Sequence, residues 1–193
     1  TLAGSSAASD VYKRQLMITA CFSVEAQTTE IQGMDFPNTV TIGNAEASLN
    51  GGGMRVKYWV LDLYVGALYL ENKTSNPDQV VMADENMGIR IVINSAIVSR
   101  DLFIESLEEG FANATAGKHT SADIENFKTY LSDEFVKGDE IALNYVAGEG
   151  VHLSKNGEKR GTFTGLEFKQ ALFAIWLGGK PADEKLKNAM LGK

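Results

Sequence analysis

The sequence predicts an α+β fold in which an antiparallel sheet carries helices on one face. The first observation is that segments with the two-residue period of strands and segments with the helical period are grouped in blocks: strands, a helix pair, strands, then helices. The second is that turn residues such as Asn156-Gly157 separate neighbouring strand segments at hairpin spacing. Such grouping is typical of antiparallel sheets covered by helices, because a strict alternation of strands and helices would instead indicate a parallel sheet.

The first 26 residues are not expected to belong to this fold. Residues 1–15 have no periodic apolar pattern, and we interpret them as an extraneous segment. Residues 16–26 have the apolar stretch of a secretory signal and end on Val24-Glu25-Ala26, which predicts cleavage before Gln27. The alternative is a lipobox that ends at Cys21, which would then be lipidated. The sequence therefore predicts export to the periplasm and a single domain over residues 27–193.

The first block of strands is expected between residues 38 and 70. Residues 38–43 alternate β-branched and polar side chains, and residues 46–53 continue toward a turn at three consecutive glycines. From residue 54 to residue 70, enrichment in Val, Tyr, Trp and Leu favours two consecutive strands or one long bent strand. Both faces are apolar near its centre, so we expect this segment to run through the core.

A helix pair is expected after a short helix and one more strand. Ser75 is a suitable cap and Pro77 a suitable first-turn residue for the short helix, and residues 88–94 predict the strand. Ser99 is a suitable N-cap for the first helix of the pair, and the second is expected to extend through Phe135 and to end at Gly138. The apolar face of the first helix comprises Leu102, Phe103, Ser106, Leu107, Gly110 and Phe111.

The C-terminal third predicts a β-meander followed by two helices. Three short strand segments cover residues 139–163, and Asn156-Gly157 predicts a tight hairpin between the last two. Thr164 and Glu167 have the spacing of a capping box, which would begin the first helix, and Pro181 precedes the second.

Composition and charge exclude several function classes. A formal charge of −7 argues against nucleic-acid binding, and the sequence has no apolar run of the length that spans a bilayer. His119 and His152 stand alone, without further ligands at metal-site spacing, so we expect neither a metal nor a cofactor. Cys21 is the only cysteine, so a domain that begins at Gln27 has no disulfide and no thiol nucleophile.

Three segments carry a resemblance to a known family. They are "LNGGGMRVKYWVLDLYVGALYLE" at residues 49–71, "SRDLFIESLEEGF" at residues 99–111, and the whole run from Lys137 to Gly192. In this order they resemble the bacterial branch of the chalcone isomerase-like superfamily. The resemblance implies an open-faced β-sandwich, with a ligand cleft between the sheet and its helices.

The resemblance also implies roles for two residues. Arg55 falls at the position of an arginine that stabilises the phenolate or enolate of the substrate in plant chalcone isomerases and holds the carboxylate in fatty-acid-binding relatives. A guanidinium suits either task because it stays ionised and can form two parallel hydrogen bonds to an anionic oxygen. Tyr64 falls at the position of a catalytic threonine, and its hydroxyl can also donate to an oxyanion. Arg55 and Tyr64 are therefore the expected catalytic pair if the protein is an enzyme.

The other active-site positions of the family are altered here. Its tyrosine falls on Val98, its asparagine on Glu105, and a Thr or Ser with its apolar neighbour on Ile175 and Trp176. Because the polar groups that bind a flavanone are replaced, true chalcone isomerase activity is not expected. The expected ligand-binding set comprises Arg55, Tyr64, Val98, Glu105, Ile175 and Trp176.

The leading functional interpretation is a non-catalytic protein that binds a small amphipathic anion, a fatty acid or an aromatic acid, through Arg55. The alternatives are an isomerase or intramolecular lyase that acts on another substrate and an accessory protein whose own side chains fill the cleft. Arg55 would have no ligand role if it simply paired with an acidic neighbour such as Asp62 or Glu105.

Overall fold

The computed structural model describes residues 27–57 and 61–193, so the predicted extraneous segment and signal peptide lie outside the described residues. The strands are β1 Thr28–Ile31, β2 Met34–Pro37, β3 Thr39–Ile42, β4 Ala45–Lys57, β5 Leu61–Leu70, β6 Met87–Ile93, β7 Glu140–Val146, β8 Gly150–Lys155 and β9 Glu158–Phe163. The helices are α1 Pro77–Met82, α2 Arg100–Ala112, α3 Ser121–Tyr130, α4 Leu166–Leu177 and α5 Glu184–Met190.

Strands β3 to β9 form one seven-stranded sheet in which each strand pairs with the next in the sequence. All of these pairings are antiparallel, and β1 and β2 form a separate hairpin. Asn156 and Gly157 have φ angles of 53° and 79°, as the predicted tight hairpin between β8 and β9 requires. The helices pack on one side of the sheet, which confirms the predicted fold class.

Strand β5 runs through the core, as the sequence predicts. Tyr64 and Leu68 belong to the main cluster between the sheet and the helices. Val65 and Ala67 point to the other face, where Phe36 of the β1–β2 hairpin covers them. Because the strand is buried on both faces, it lies at the centre of the molecule.

The three glycines at residues 51–53 do not form the predicted turn. They lie inside β4, which continues without interruption to Lys57. A Cβ at Gly51 would overlap the carbonyl oxygen of Ala189, and a Cβ at Gly53 would come within 2.8 Å of the Ala189 Cβ. The glycines therefore allow α5 to approach the strand closely, and their role lies in packing rather than in a change of chain direction.

Three predicted helix ends are wrong. Helix α1 is capped by Asn76 rather than Ser75, since the Asn76 side chain accepts a hydrogen bond from Asp78 N–H. Helix α3 ends at Tyr130, well before Gly138. Helix α4 begins after Gly165, at φ 93°, without a side-chain cap. The predicted capping box does not form because the N-cap is Gly165 rather than Thr164, and glycine has no side chain to accept the hydrogen bond.

Helix α2 begins where the sequence predicts and forms one wall of the cleft. Its N-cap Ser99 accepts a hydrogen bond from Leu102 N–H at 3.2 Å. Gly110 faces α4, where a Cβ would come within 2.5 Å of the Ile175 side chain. A side chain at position 110 would therefore separate the two helices that line the cleft.

No helix in the described part of the chain is long and apolar enough to cross a bilayer.

Candidate functional site: a buried arginine between the sheet and two helices

Arg55 and Tyr64 lie opposite each other on β4 and β5. The pairing shifts after them, because Val56 lies opposite Asp62 and leaves Leu63 without a partner. This bulge allows Leu63 and Tyr64 to join the same core cluster. Arg55 points to the same face and is only 6% exposed.

The Tyr64 hydroxyl receives two hydrogen bonds. Arg55 Nη1 donates to it at 3.4 Å, and Trp176 Nε1 of α4 donates at 2.8 Å. The guanidinium carbon of Arg55 also lies 5.6 Å from the centroid of the Tyr64 ring. Since arginine and tryptophan can only donate, the hydroxyl keeps its own proton for a further acceptor.

Two other polar atoms at this point are buried without a hydrogen-bond partner among the described residues. They are Nε of Arg55 and Oγ of Ser106, a residue of α2 that is 4% exposed. Buried polar groups in native proteins are nearly always paired, so each exception calls for an explanation. Arg55 also forms no ion pair with a described carboxylate, and Asp62 and Glu105 are both exposed. The pairing of Arg55 with an acidic neighbour is therefore absent from the described contacts.

Three adjoining cavities meet at Arg55 and Ser106. The largest has a volume of about 90 Å³ and opens between α2 and the segment that joins α4 to α5. The other two hold about 10 Å³ or less, because apolar side chains of β5, α2, α4 and the β6–α2 connection fill the space. These side chains are Leu63, Val98, Leu102, Phe103, Leu107, Ile175 and Trp176.

The structure brings together five of the six residues expected to bind a ligand. Arg55, Tyr64, Ile175 and Trp176 line one cavity, and Val98 lines the adjoining one. Glu105 lies on the exposed side of α2, outside all three cavities.

Ser106, the residue after Glu105, faces the site instead. Ser106 was not among the expected ligand-binding residues, although it is the one hydroxyl on the apolar face of the α2 pattern. A polar side chain at such a position is a signal that sequence alone can supply.

The mouth of the largest of these three cavities carries charges of both signs. Glu109 of α2 lies 3.8 Å from Lys57 Nζ, and Lys180 lies across the opening on the α4–α5 connection. Within residues 27–57 and 61–193, no three His, Cys, Asp or Glu side chains are placed to hold a metal ion.

A family model described as chalcone isomerase-like matches residues 28–192. The chain belongs to the chalcone isomerase-like family. The family resemblance that the sequence predicted is thus confirmed, while its assignment to the bacterial branch stays a prediction.

Among solved structures, a fatty-acid binding protein of Arabidopsis thaliana is similar to this chain, with a TM-score of 0.69 and 19% sequence identity. The similarity covers 86% of this chain and 96% of the plant chain. At this identity the likeness establishes the fold alone. None of the curated protein sequences is a significant match to this chain.

Proposed function

We propose that this protein binds a small amphipathic anion, a fatty acid or an aromatic acid, and that Arg55 holds its anionic group. The observation that carries the proposal is the convergence of two buried polar atoms without partners, Arg55 Nε and Ser106 Oγ, on one cleft beside the Tyr64 hydroxyl. Each buried polar group without a partner costs about 1 to 3 kcal/mol. A ligand oxygen that accepts these hydrogen bonds would remove that cost.

The charge of the site favours an anion. The Arg55 guanidinium is ionised, it is almost fully buried, and no described carboxylate neutralises it. The surrounding side chains, such as Phe103 and Leu107, are apolar and suit the hydrocarbon part of the same ligand. The similar plant protein is a fatty-acid binding protein, and this supports the same ligand class here.

The volume of the cleft sets a condition on binding. The apolar cavities hold about 10 Å³ or less, whereas sites for drug-sized ligands measure roughly 300 to 1,000 Å³. The apolar part of a ligand must therefore displace side chains of α2, first of all Leu102 and Phe103. Short-chain and aromatic acids need the smallest displacement.

Substitution of Arg55 tests the proposal. Arg55→Ala should weaken the binding of octanoate or 3-phenylpropanoate by roughly 1.5 to 3 kcal/mol, the range for a hydrogen bond to a charged group. The thermal stability of the ligand-free protein should change little, because no buried carboxylate is left unpaired. Isothermal titration calorimetry measures the first effect, and thermal denaturation measures the second.

Arg90 provides a matched control on the same sheet. It lies on β6 with its guanidinium carbon 5.5 Å from the centroid of the Tyr69 ring, and it pairs with Glu140 at 3.5 Å. Arg90→Ala removes the same side chain from a site where Nη1 already has an acidic partner, so it should lower stability and leave ligand binding unchanged. The proposal is wrong if Arg55→Ala behaves like Arg90→Ala.

A second candidate function is an isomerase or intramolecular lyase, in which Arg55 and Tyr64 would stabilise a developing oxyanion. The observation in its favour is the Tyr64 hydroxyl, which is held by two donors and has its own proton left to donate. A chalcone is a first probe for turnover, although it is not the expected substrate, and turnover that is lost in Tyr64→Phe would support catalysis. Tight binding of acids without turnover would support the binding function and not catalysis.

We also propose that the protein is exported to the periplasm, on the basis of the signal-like residues 16–26. N-terminal sequencing of the protein recovered from the producing cells should then begin at Gln27. Retention of Leu16 would contradict export by this signal, and a lipidated Cys21 would show that the protein is a lipoprotein.

A further inference from the structure

The cavities around Arg55 differ in the chemistry of their walls. The two small cavities are lined mainly by apolar side chains of β5, α2 and α4. The cavity of about 90 Å³ is lined by Ser106, Glu109, Asn113 and Lys180 beside Arg55. Among the described residues, the side chains of Glu109, Asn113 and Lys180 border this cavity and neither of the other two. The cleft therefore has a polar compartment and an apolar one, and Arg55 borders both.

Among the cleft cavities that the described residues line, the polar compartment is the one with appreciable space. A cavity needs roughly 10 to 15 Å³ to hold one water molecule, so a cavity of about 90 Å³ has room for a carboxylate group. The apolar compartment must be opened by the ligand itself. The anionic group is thus the part of the ligand that the closed protein can accept.

The backbone of the segment that carries Lys180 is held in place by hydrogen bonds at both ends. Gly179 N–H donates to Thr115 Oγ1 at 2.9 Å, and Ala182 N–H donates to the carbonyl oxygen of Ile175 at 2.8 Å. Lys180 is exposed, and no described carboxylate pairs with it. Its ammonium group can therefore turn toward the cavity without breaking an existing ion pair.

The charges at the mouth favour an incoming anion. Glu109 is the one acidic side chain that lines the polar compartment in the described part of the chain, and Lys57 lies 3.8 Å from it. Arg55 and Lys180 also line this compartment, so its lining carries two positive charges and one negative charge. An excess of positive charge in a cleft attracts anions, although the net charge of the whole chain is −7.

We propose that the polar compartment is the carboxylate subsite and that Lys180 is the second cation that binds the carboxylate, together with Arg55 and Ser106. This assignment rests on the proposed function, because it names the place where the proposed anion is held. It adds a residue of the α4–α5 connection to the site and predicts that the anion reaches Arg55 between this connection and α2.

Calorimetric titration of Lys180 variants tests the subsite, with octanoate and 3-phenylpropanoate as probes and octan-1-ol as a neutral counterpart. Lys180→Gln should raise the dissociation constant of both acids about three- to fivefold, the effect of losing one partly exposed ion pair, and leave octan-1-ol unaffected. Lys180→Arg should retain the affinity. Lys159→Gln, on β9, makes the same change in net charge away from the cleft and should have no effect.

The outcomes separate the subsite from the function as a whole. In one outcome, wild-type protein binds the acids, Arg55→Ala does not bind them, and Lys180→Gln binds them with normal affinity. The assignment of the subsite is then wrong, and the proposed function stands. If Lys159→Gln weakens binding as much as Lys180→Gln, the effect is one of net charge and the subsite is also wrong. If wild-type protein binds neither acid, both proposals are overturned.

Discussion

Lys169 is the most deeply buried charged residue in the described part of the chain, with 0% of its surface exposed. Its ammonium group donates to the carbonyl oxygens of Val80, Val81 and Ala83 at 2.6, 3.0 and 2.8 Å. These carbonyls lie at the C-terminal end of α1, where a helix has no internal donors left to satisfy them. A cation at this end also interacts favourably with the helix dipole. Lys169 therefore fastens α1 to α4.

The burial of Lys169 gives the stability of the protein a defined pH dependence. Burial lowers the pKa of Lys169 from 10.5 to about 8, although nearby carboxylates oppose the shift. Between these pH values the unfolded chain binds more protons than the folded one, so the free energy of unfolding should rise with pH. The slope should reach up to about 1.4 kcal/mol per pH unit.

Lys169→Met should abolish this rise. Lys155→Met is the control, since it removes another buried lysine, one paired with Asp139 at 3.1 Å, and should leave the rise between pH 8 and 10 intact. Above pH 10 the trend should reverse, because burial raises the pKa of Tyr69 to about 12 and also raises the pKa of Tyr145. Urea denaturation at a series of pH values measures these slopes. An identical rise in wild type and Lys169→Met would contradict the assignment.

The position of α5 is fixed by contacts with β4 along its whole length. Asp183, the N-cap of the helix, accepts a hydrogen bond from Val56 N–H at 3.2 Å, and Asn50 donates to the carbonyl oxygen of Met190 at 2.8 Å. Between these contacts the glycines of β4 leave room for Ala189. The connection that carries Lys180 leads directly into this helix, so the packing of α5 also sets the geometry of the proposed subsite.

Gly51→Ala should displace α5. The new Cβ would overlap the backbone oxygen of Ala189, which cannot rotate away, and overpacking of this kind costs about 1 to 3 kcal/mol of stability. Gly179→Ala is the matched control, because its Cβ would meet nothing closer than 3.5 Å. Denaturant unfolding should show a clear loss for Gly51→Ala and a small effect for Gly179→Ala. Equal stabilities would mean that the strand adjusts and that the glycines are not needed for packing.

The buried residues of α3 continue at helical spacing beyond the end of the helix. Phe127, Leu131 and Phe135 are all buried at helical spacing, although the helix ends at Tyr130. Arg100 of α2 donates from Nε to the carbonyl oxygen of Leu131 at 2.7 Å and thereby satisfies the end of the helix. The chain after that point continues to bury apolar side chains without helical geometry. A pattern of buried residues could predict the packing here but not the helix boundary.

Across the whole molecule, the sequence by itself determined the fold class, the order of strands and helices from β3 onward, and the hairpin at Asn156-Gly157, while the β1–β2 hairpin was not predicted. These features depend on local periodicity and on turn residues, which are visible within a few positions of one another. Arg55 and Tyr64 could also be selected in advance, because the family resemblance marked them and strand pairing then placed them opposite each other.

The tertiary structure alone decided the features that depend on contacts between distant parts of the chain. Trp176 bonds to Tyr64 across 112 positions, and Lys169 bonds to the end of α1 across more than 80. The choice of Ser106 over Glu105 depends on the rotation of α2 against α4, and the small volume of the cleft depends on how fully α2 packs onto the sheet. Local sequence patterns specify which face of an element is apolar. The distance and rotation between packed elements are set by the fit of their side chains, and these decide which polar atoms are left without a partner.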